Sequence, residues 1–271
     1  GSISRMKGLL RRALPFLLAP PLYALLLALG LVSLLWNLVA LPLHWLLPEA
    51  IGRALGRAVI AHSYRLFWAA ASVTGMMRVD ASCLDTLKDE RGLIIVANHP
   101  TMLDALLLVA RLPRSACIMK ADLMRNVFLG AGARLANYIR NDSARTMIRL
   151  AVQDLRRGGQ LVIFPEGTRT ETPPLDPFRP GVTLIAKLAK APIQTVYIDT
   201  DTPYLSKGWP IWRVPPLPIR VTLRLGNRFA PRADSDTLLR ELEQYYRGPL
   251  KEERATDATA ACTSHRAPTL S

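Results

Sequence analysis

The sequence predicts an α/β fold with a largely parallel sheet flanked by helices, preceded by an apolar, membrane-associating helical segment. Two patterns predict this fold. After residue 79, short apolar runs typical of buried strands alternate with stretches that carry apolar residues at helical spacing. Before that point, a stretch without Asp, Glu, Lys or Arg runs from Ala13 to Pro48. The 271 residues suffice for one large core and an accessory segment.

Residues 1–78 are predicted to anchor the chain to a membrane. The most apolar part, Leu22–Leu41, is long enough to cross a hydrocarbon core of about 30 Å. Pro20-Pro21 and Pro42 are expected to bound this span.

A second, amphipathic stretch follows over Ile51–Met77, with Arg53, Arg57 and Arg65 at roughly helical spacing. This stretch either lies in the membrane interface with its cations towards lipid headgroups or packs as a helix on the next domain. A single transmembrane span and an interfacial hairpin both remain open.

Residues 79–253 are predicted to form the α/β domain. Apolar runs rich in β-branched residues predict strands at 92–98, 116–121, 160–167, 192–199 and 219–229. Apolar residues at helical spacing predict helices, wholly or in part, at 101–112, 122–135, 146–159, 181–191 and 235–253. The remaining 254–271 are rich in Ala, Thr and Ser and are predicted to be disordered.

Composition narrows the class of partner. Half of the residues are hydrophobic, the formal charge is +14 and the mean hydropathy is +0.16. Apolar and basic character together favour an anionic bilayer or an anionic substrate over nucleic acid. The basic residues form no run of nucleic-acid type, and the cysteines and histidines lack metal-ligand spacing. We therefore predict no nucleic-acid partner, no metal and a reducing compartment.

Two polar side chains interrupt the apolar stretch "LIIVANHPTMLDALLLVA" where a strand should end and a helix begin. Pro100 suits the first helical position, which would place His99 near the N-cap and Asp104 one turn in. A histidine on the loop can turn back so that Asp104 accepts its Nδ1 proton and Nε2 is left as a base. The alternative is a buried histidine beside an aspartate that complements the helix dipole.

A second group of polar residues follows another predicted strand, in "VIFPEGTRT". Gly167 permits a tight turn or close approach of a ligand, and Arg169 can bind phosphate with two hydrogen bonds. Glu166 can fix the loop or orient Arg169. Because both stretches follow strands, both groups can reach the same edge of one sheet.

Together, "NHPTMLD" and "FPEGTRT" resemble the N-H-x-x-x-x-D and F-P-E-G-T-R-[ST] signatures of the lysophosphatidic acid (glycerolipid) acyltransferase superfamily. The resemblance runs from about Gly92 to Phe229. It implies transfer of a fatty acyl group from acyl-CoA or acyl carrier protein to a lipid hydroxyl, with 1-acylglycerol-3-phosphate as the default acceptor. It implies a glycerolipid-acyltransferase-like fold and no cofactor beyond the acyl donor.

The same resemblance assigns roles to residues. His99 would deprotonate the acceptor hydroxyl, and Asp104 would orient His99 and stabilise the imidazolium. Acceptor or phosphate binding is assigned to Glu166, Gly167, Thr168 and Arg169.

Other stretches depart from the family pattern, and these departures bear on which acceptor is predicted. Where the family carries a [FY]-I-x-R block, this chain has "NYIRND", with Arg140 one place early and Asn141 at the expected position. Arg140 and Lys120 either reach a phosphate or are ordinary surface charges. Thr195 replaces the second proline of a V-P-I-x-P-V block.

The chain also resembles acyltransferases of bacterial aryl polyene or xanthomonadin-type pigment clusters, in the stretches "NHPTMLD", "NYIRND" and "DTPYLSKGWPIWRVP". That similarity implies an acceptor other than a glycerophosphate as the alternative. A hydrolase that passes the acyl group to water and a catalytically silent lipid-binding protein are the other rivals. Soluble donors predict a bacterial inner-membrane protein whose catalytic domain faces the cytoplasm.

Overall fold

Seven strands form one sheet in the described part of the chain. They are Met77–Asp80 (β1), Leu93–Ala97 (β2), Ser115–Lys120 (β3), Ile139–Asn141 (β4), Gln160–Ile163 (β5), Ile193–Thr200 (β6) and Ile219–Phe229 (β7). Their spatial order is β1-β7-β6-β2-β5-β3-β4, and all neighbouring pairs are parallel except β6 with β7. The prediction of an α/β fold with a largely parallel sheet is confirmed.

The structure is a computed structural model, and it describes residues 2–99, 101–167, 169–172, 175–202 and 204–252. Pro100, Thr168 and the tail predicted over 254–271 therefore lie outside the described residues.

Seven α-helices accompany the sheet in these residues. They are Ser2–Leu46 (α1), Glu49–Val73 (α2), Asp104–Arg111 (α3), Gly130–Leu135 (α4), Ala144–Arg156 (α5), Gly181–Ala189 (α6) and Ser235–Glu252 (α7). Short 3-10 helices occupy Ser82–Thr86 and Ala121–Arg125. The stretch predicted as wholly or partly helical at 122–135 is thus divided between a 3-10 turn and α4.

Strand β2 shows how the three layers form. All five of its residues are fully buried, and their side chains alternate between the two faces of the sheet. Leu93, Ile95 and Ala97 join an apolar cluster with residues of α1, α2 and α3. Ile94 and Val96 join a second cluster with residues of α5, α6 and α7. The sheet therefore lies between two helical layers, and a central strand has no exposed face.

Helix α1 is continuous, so the expectation that prolines bound the apolar span is wrong. Pro15, Pro20, Pro21 and Pro42 all lie inside it. A proline costs a helix one hydrogen bond, whereas unwinding would leave several backbone groups unpaired. In the described residues α1 is the one helix long and apolar enough to cross a membrane, and only 11% of its most apolar window is buried. Most of its apolar surface is thus uncovered by protein.

Helix α2 packs on the domain, which is one of the two arrangements that the sequence left open. Arg57 is 4% exposed, and its Nη2 lies 2.7 Å from Oδ1 of Asp154 on α5. Its Nε donates to the carbonyl of Ala136 at 2.8 Å. The suggestion that Arg57 faces lipid headgroups is wrong, because a carboxylate and backbone carbonyls supply the partners that a buried guanidinium needs. Arg65, on the same helix, is exposed.

Candidate active site

The site lies at the carboxyl edge of the sheet, where β2 and β5 end side by side. The two strands are parallel, with Val96 paired to Ile163. The residues that follow each strand therefore leave the sheet at the same level, and the two polar stretches of the sequence meet there.

Asn98 fixes the backbone at the end of β2. Its Nδ2 donates to the carbonyl of Ile198 at 2.9 Å, and its Oδ1 accepts the N–H of Ile198 at 2.8 Å. The side-chain amide thus continues the β2–β6 ladder by one more pair of hydrogen bonds. Asn98 is only 3% exposed, so a buried residue fixes the backbone that leads into His99.

His99 and Asp104 are in contact, which is one of the two arrangements that the sequence left open. Nδ1 of His99 lies 3.0 Å from Oδ2 of Asp104, and the two side chains are 16% and 3% exposed. The N–H and the hydroxyl of Thr101 donate to the same carboxylate at 2.8 and 3.0 Å. The histidine is therefore the more accessible member of a pair whose carboxylate is held by three hydrogen bonds.

The placement of the helix start was wrong. Helix α3 begins at Asp104 and its N-cap is Leu103, so Asp104 is the first helical residue and His99 is not near the N-cap. The cause is the hydrogen bonding of Thr101, which closes a turn onto Asp104 before the helix begins.

Burial raises the pKa of Asp104, and the hydrogen bonds from His99 and Thr101 oppose that rise. The N–H of Thr101 can only donate, and it shares Oδ2 with His99. A proton on Oδ2 would face both donors, so the geometry favours the ionised carboxylate with Nδ1 of His99 as the donor.

Glu166 ties three chain segments together. Its Oε1 accepts the N–H of His99 at 3.1 Å, and its Oε2 accepts the hydroxyl of Thr170 and the N–H of Asp176, each at 2.8 Å. Glu166 is 3% exposed, and burial raises the pKa of its carboxyl. Of the roles considered from the sequence, fixing the loop is the one that these contacts describe.

The loop after β5 also supports the backbone and ring of His99. The N–H of Thr170 donates to the carbonyl of His99 at 2.9 Å. The ring of Phe164 stacks on the imidazole, with the ring centroids 4.1 Å apart and the planes 20° from parallel. His99 is thus held by backbone hydrogen bonds on both sides and by a ring on one face.

Gly167 occupies a position that suits glycine. Its φ is +76°, a region that other residues rarely adopt. A Cβ at this position would meet the guanidinium of Arg179, so the Arg179 side chain lies directly against this turn.

Arg169 points to a neighbouring loop. Its Nη1 donates to the carbonyls of Leu205 and Ser206 at 3.0 and 3.2 Å. The carbonyl of Leu205 also accepts the N–H of Met102 at 3.0 Å. The phosphate-binding role implied by the family resemblance stays a prediction for Arg169, and Thr168 lies outside the described residues.

Lys120 and Arg140 lie further along the same edge. Lys120 ends β3, two strands from β2, and Arg140 lies on β4, three strands from β2. At a strand spacing of about 4.8 Å these strands are roughly 10 and 14 Å from β2. Both side chains are exposed, and Nε of Arg140 pairs with Asp142 at 3.1 Å. The structure therefore does not group them with His99 and Asp104.

Three supporting residues were missed as functional candidates: Asn98, Thr101 and Phe164. All three lie inside the two quoted motifs, so the motifs themselves were the available signal. Their roles depend on partners in other segments, which a single sequence does not reveal.

Comparison with known proteins agrees with this arrangement. A family model described as Acyltransferase matches residues 78–199, which contain both motifs. Residues 78–199 are therefore similar in sequence to the acyltransferase family. The 1-acyl-sn-glycerol-3-phosphate acyltransferase beta of Homo sapiens is 33% identical over 132 residues, which cover 45% of this chain and 46% of that protein. The corresponding protein of Cocos nucifera is 30% identical over 135 residues, 47% of this chain and 43% of its own.

The chain thus spans about half the length of the curated relatives it matches. A solved structure, the 1-acyl-sn-glycerophosphate (LPA) acyltransferase PlsC from Thermotoga maritima, superposes with a TM-score of 0.63. The superposition covers 94% of this chain and 99% of that one at 19% identity, which establishes a shared fold for the α/β domain and its N-terminal helices.

Proposed function

We propose that the protein is a membrane-associated O-acyltransferase that moves a fatty acyl group from an acyl thioester to the hydroxyl of a lysophospholipid, with 1-acylglycerol-3-phosphate as the default acceptor. The observation that carries the proposal is the contact of His99 with the buried Asp104 at the carboxyl edge of the sheet. The similarity to 1-acyl-sn-glycerol-3-phosphate acyltransferases supports the acceptor class.

In the proposed reaction His99 acts as a general base. With Nδ1 bound to Asp104, Nε2 takes the proton of the acceptor hydroxyl as its oxygen attacks the thioester carbonyl carbon. The C–S bond then breaks, and the imidazolium returns the proton to the departing thiolate. Asp104 stabilises the imidazolium between these two transfers. The products are the acylated lipid and a free thiol, so no oxidant or metal is required for balance.

The N-terminal helices support a membrane location. The apolar surface of α1 is largely uncovered by protein, with Phe16, Leu27 and Trp45 each more than half exposed. An apolar cavity of about 230 Å³ lies between α1, α2, α3 and β3, and Ala105 in its wall directly follows Asp104. An acyl chain gains about 0.8 kcal/mol for each CH₂ kept out of water, so a bilayer-bound enzyme with such a cavity keeps the chain buried during transfer.

The proposed location is the cytoplasmic side of a bacterial inner membrane, because the thioester donors are soluble. A CoA thioester and a carrier-protein thioester are both soluble donors of this kind.

A second acceptor class has specific support. Asn141 stands where the family pattern has an arginine, Arg140 pairs with Asp142, and Arg169 donates to loop carbonyls. These contacts weaken the case for a phosphate clamp. They favour, as the second candidate, a lipid hydroxyl without a phosphomonoester, as in pigment-type lipid assembly.

The test is an acceptor panel with labelled acyl-CoA and acyl carrier protein, in which products are identified by mass. We expect label in lysophospholipid products with the wild-type protein, and loss of transfer by at least a thousandfold in His99→Ala with unchanged thermal unfolding. Label found only as free fatty acid would instead identify a hydrolase. Absence of any turnover by wild-type protein would support a silent lipid-binding protein.

A further inference from the structure

A basic groove runs along the surface formed by α5 and α6. It is an open depression of about 910 Å³ with an apolar floor and a cationic rim. The apolar floor is formed by Ile148, Val152 and Leu188. The cationic rim is formed by Arg145, Arg149 and Arg156. Leu188 is 44% exposed, so part of the apolar floor is open to solvent.

The exposed charges that line this groove are positive. The segments 144–157 and 181–190 contain six lysines and arginines and a single acidic residue, Asp154. Asp154 is buried and faces inward, where it pairs with Arg57. Arg157 has an acidic partner from another element, Glu49, at 2.7 Å. The exposed charge along the groove is therefore positive, and it suits an acidic ligand surface.

The position of the groove favours a soluble ligand over a bilayer. Helices α5, α6 and α7 pack on the face of the sheet that carries Ile94 and Val96. Leu22 of the apolar helix α1, with α2 and α3, packs on the opposite face. A bilayer that receives α1 lies on that opposite side of the domain, so the α5–α6 groove faces the aqueous side.

The groove also leads towards the candidate site. Both α5 and α6 begin at the carboxyl edge of the sheet, and Cε of Met147 packs close to Gly181 at the start of α6. Two residues before Gly181, the side chain of Arg179 lies against Gly167, next to Glu166. Arg145, in the first turn of α5, places one end of the groove at the same edge of the sheet as His99.

We propose that this groove docks a soluble acidic carrier protein that delivers the acyl thioester. The inference rests on the proposed function and names its donor. An acidic amphipathic helix of the carrier places apolar side chains on Ile148, Val152 and Leu188 and its carboxylates on the arginines of the rim. Transfer then releases the carrier with a free thiol, which the reaction above already balances.

The test compares two donors in two variants. Arg145→Gln with Arg149→Gln removes two rim charges from exposed positions, and Arg232→Gln with Arg240→Gln removes two exposed arginines from the region of α7 as the matched control. With acyl carrier protein as donor, we expect the KM of the groove variant to rise about tenfold while kcat is kept, because rim charges govern association. With acyl-CoA, its KM should stay within about twofold of wild type.

Salt gives a second readout. Raising ionic strength from about 0.05 to 0.5 M should raise the wild-type KM for the carrier-protein donor and change that of the groove variant much less, because exposed charges are screened. Thermal unfolding of both variants should match wild type.

Three results overturn the inference. They are equal KM changes with both donors, no change with either donor, and loss of binding to phosphatidylglycerol vesicles with an unchanged carrier KM. Binding of fluorescently labelled, unacylated carrier protein separates this inference from the proposed function. Binding without any transfer refutes the function and keeps the docking surface, whereas transfer from acyl-CoA without carrier binding does the opposite.

Discussion

Replacing Asp104 by Asn isolates the charge of the carboxylate from its geometry. The amide oxygen can take the place of Oδ2, which accepts from His99 and from the N–H of Thr101 at 3.0 and 2.8 Å. The amide nitrogen then faces the hydroxyl of Thr101, which can turn to accept. The position and tautomer of His99 are therefore preserved, and only the negative charge beside the imidazolium is lost.

The size of the effect follows from the separation of the charges. Two unit charges about 4 Å apart interact by about 4 kcal/mol at an effective dielectric constant of 20. At about 1.36 kcal/mol for each factor of ten, the loss corresponds to a fall of roughly a thousandfold in kcat. The acceptor KM should change little, because the imidazolium exists only after the hydroxyl has given up its proton.

The assay is steady-state acyl transfer with a saturating donor, and thermal unfolding is measured in the same detergent. Thr101→Val is the matched control, because it removes one hydrogen bond from Asp104 and keeps the charge. A lost hydrogen bond of about 1 kcal/mol predicts a fall of no more than about tenfold. A kcat of Asp104→Asn within tenfold of wild type would refute the role of Asp104 as the counter-charge.

Two further predictions concern Glu166, which accepts from the backbone of His99, and Arg57, which pairs with Asp154 between α2 and α5. Glu166→Gln replaces one acceptor oxygen by an amide NH2, which must face either the N–H of His99 or the N–H of Asp176. One buried donor then loses its acceptor, at a cost of about 1–3 kcal/mol, so the melting temperature should fall by a few degrees; because both bonds hold the loop around His99, kcat should fall by about tenfold. An unchanged kcat would show that the tie does not position His99. Arg57→Ala leaves Asp154 buried without its cation, which costs about 3–5 kcal/mol and should lower the melting temperature by about 10 °C. The exposed Arg65→Ala is its control, and equal shifts in the two variants would contradict the assignment.

The central strands and the contact of His99 with Asp104 could be predicted from the sequence because they depend on local patterns. Strand β2 is a run of five apolar residues, and the five-residue spacing of the pair suffices for a loop histidine to reach the first helical residue. The edge strands β1 and β4 were missed because they have only four and three residues and include charged ones. They are strands only because β7 and β3 pair with them.

Other features depend on partners that are distant in sequence. Arg57 reads as one cation of an amphipathic face, and the carboxylate of Asp154, 97 residues later, binds it in the interior together with backbone carbonyls such as that of Ala136. Arg169 reads as a phosphate ligand, a role that stays a prediction, and nothing in the sequence indicated that its Nη1 donates to the loop at 205–206. Local spacing cannot reveal such pairings, since they depend on which segments the sheet topology brings together.

The two motifs are one hydrogen-bonded unit, which explains why each alone indicated little about function. The N–H of His99 donates to Glu166 at 3.1 Å, and the N–H of Thr170 donates to the carbonyl of His99 at 2.9 Å. Phe164 covers one face of the imidazole. The motif after β5 therefore holds the histidine that the motif after β2 supplies, and Asp104 accepts from its Nδ1. Since these contacts converge on His99, the proposed reaction gives the second motif the role of positioning the base, and this proposed role is the same for any lipid hydroxyl as acceptor.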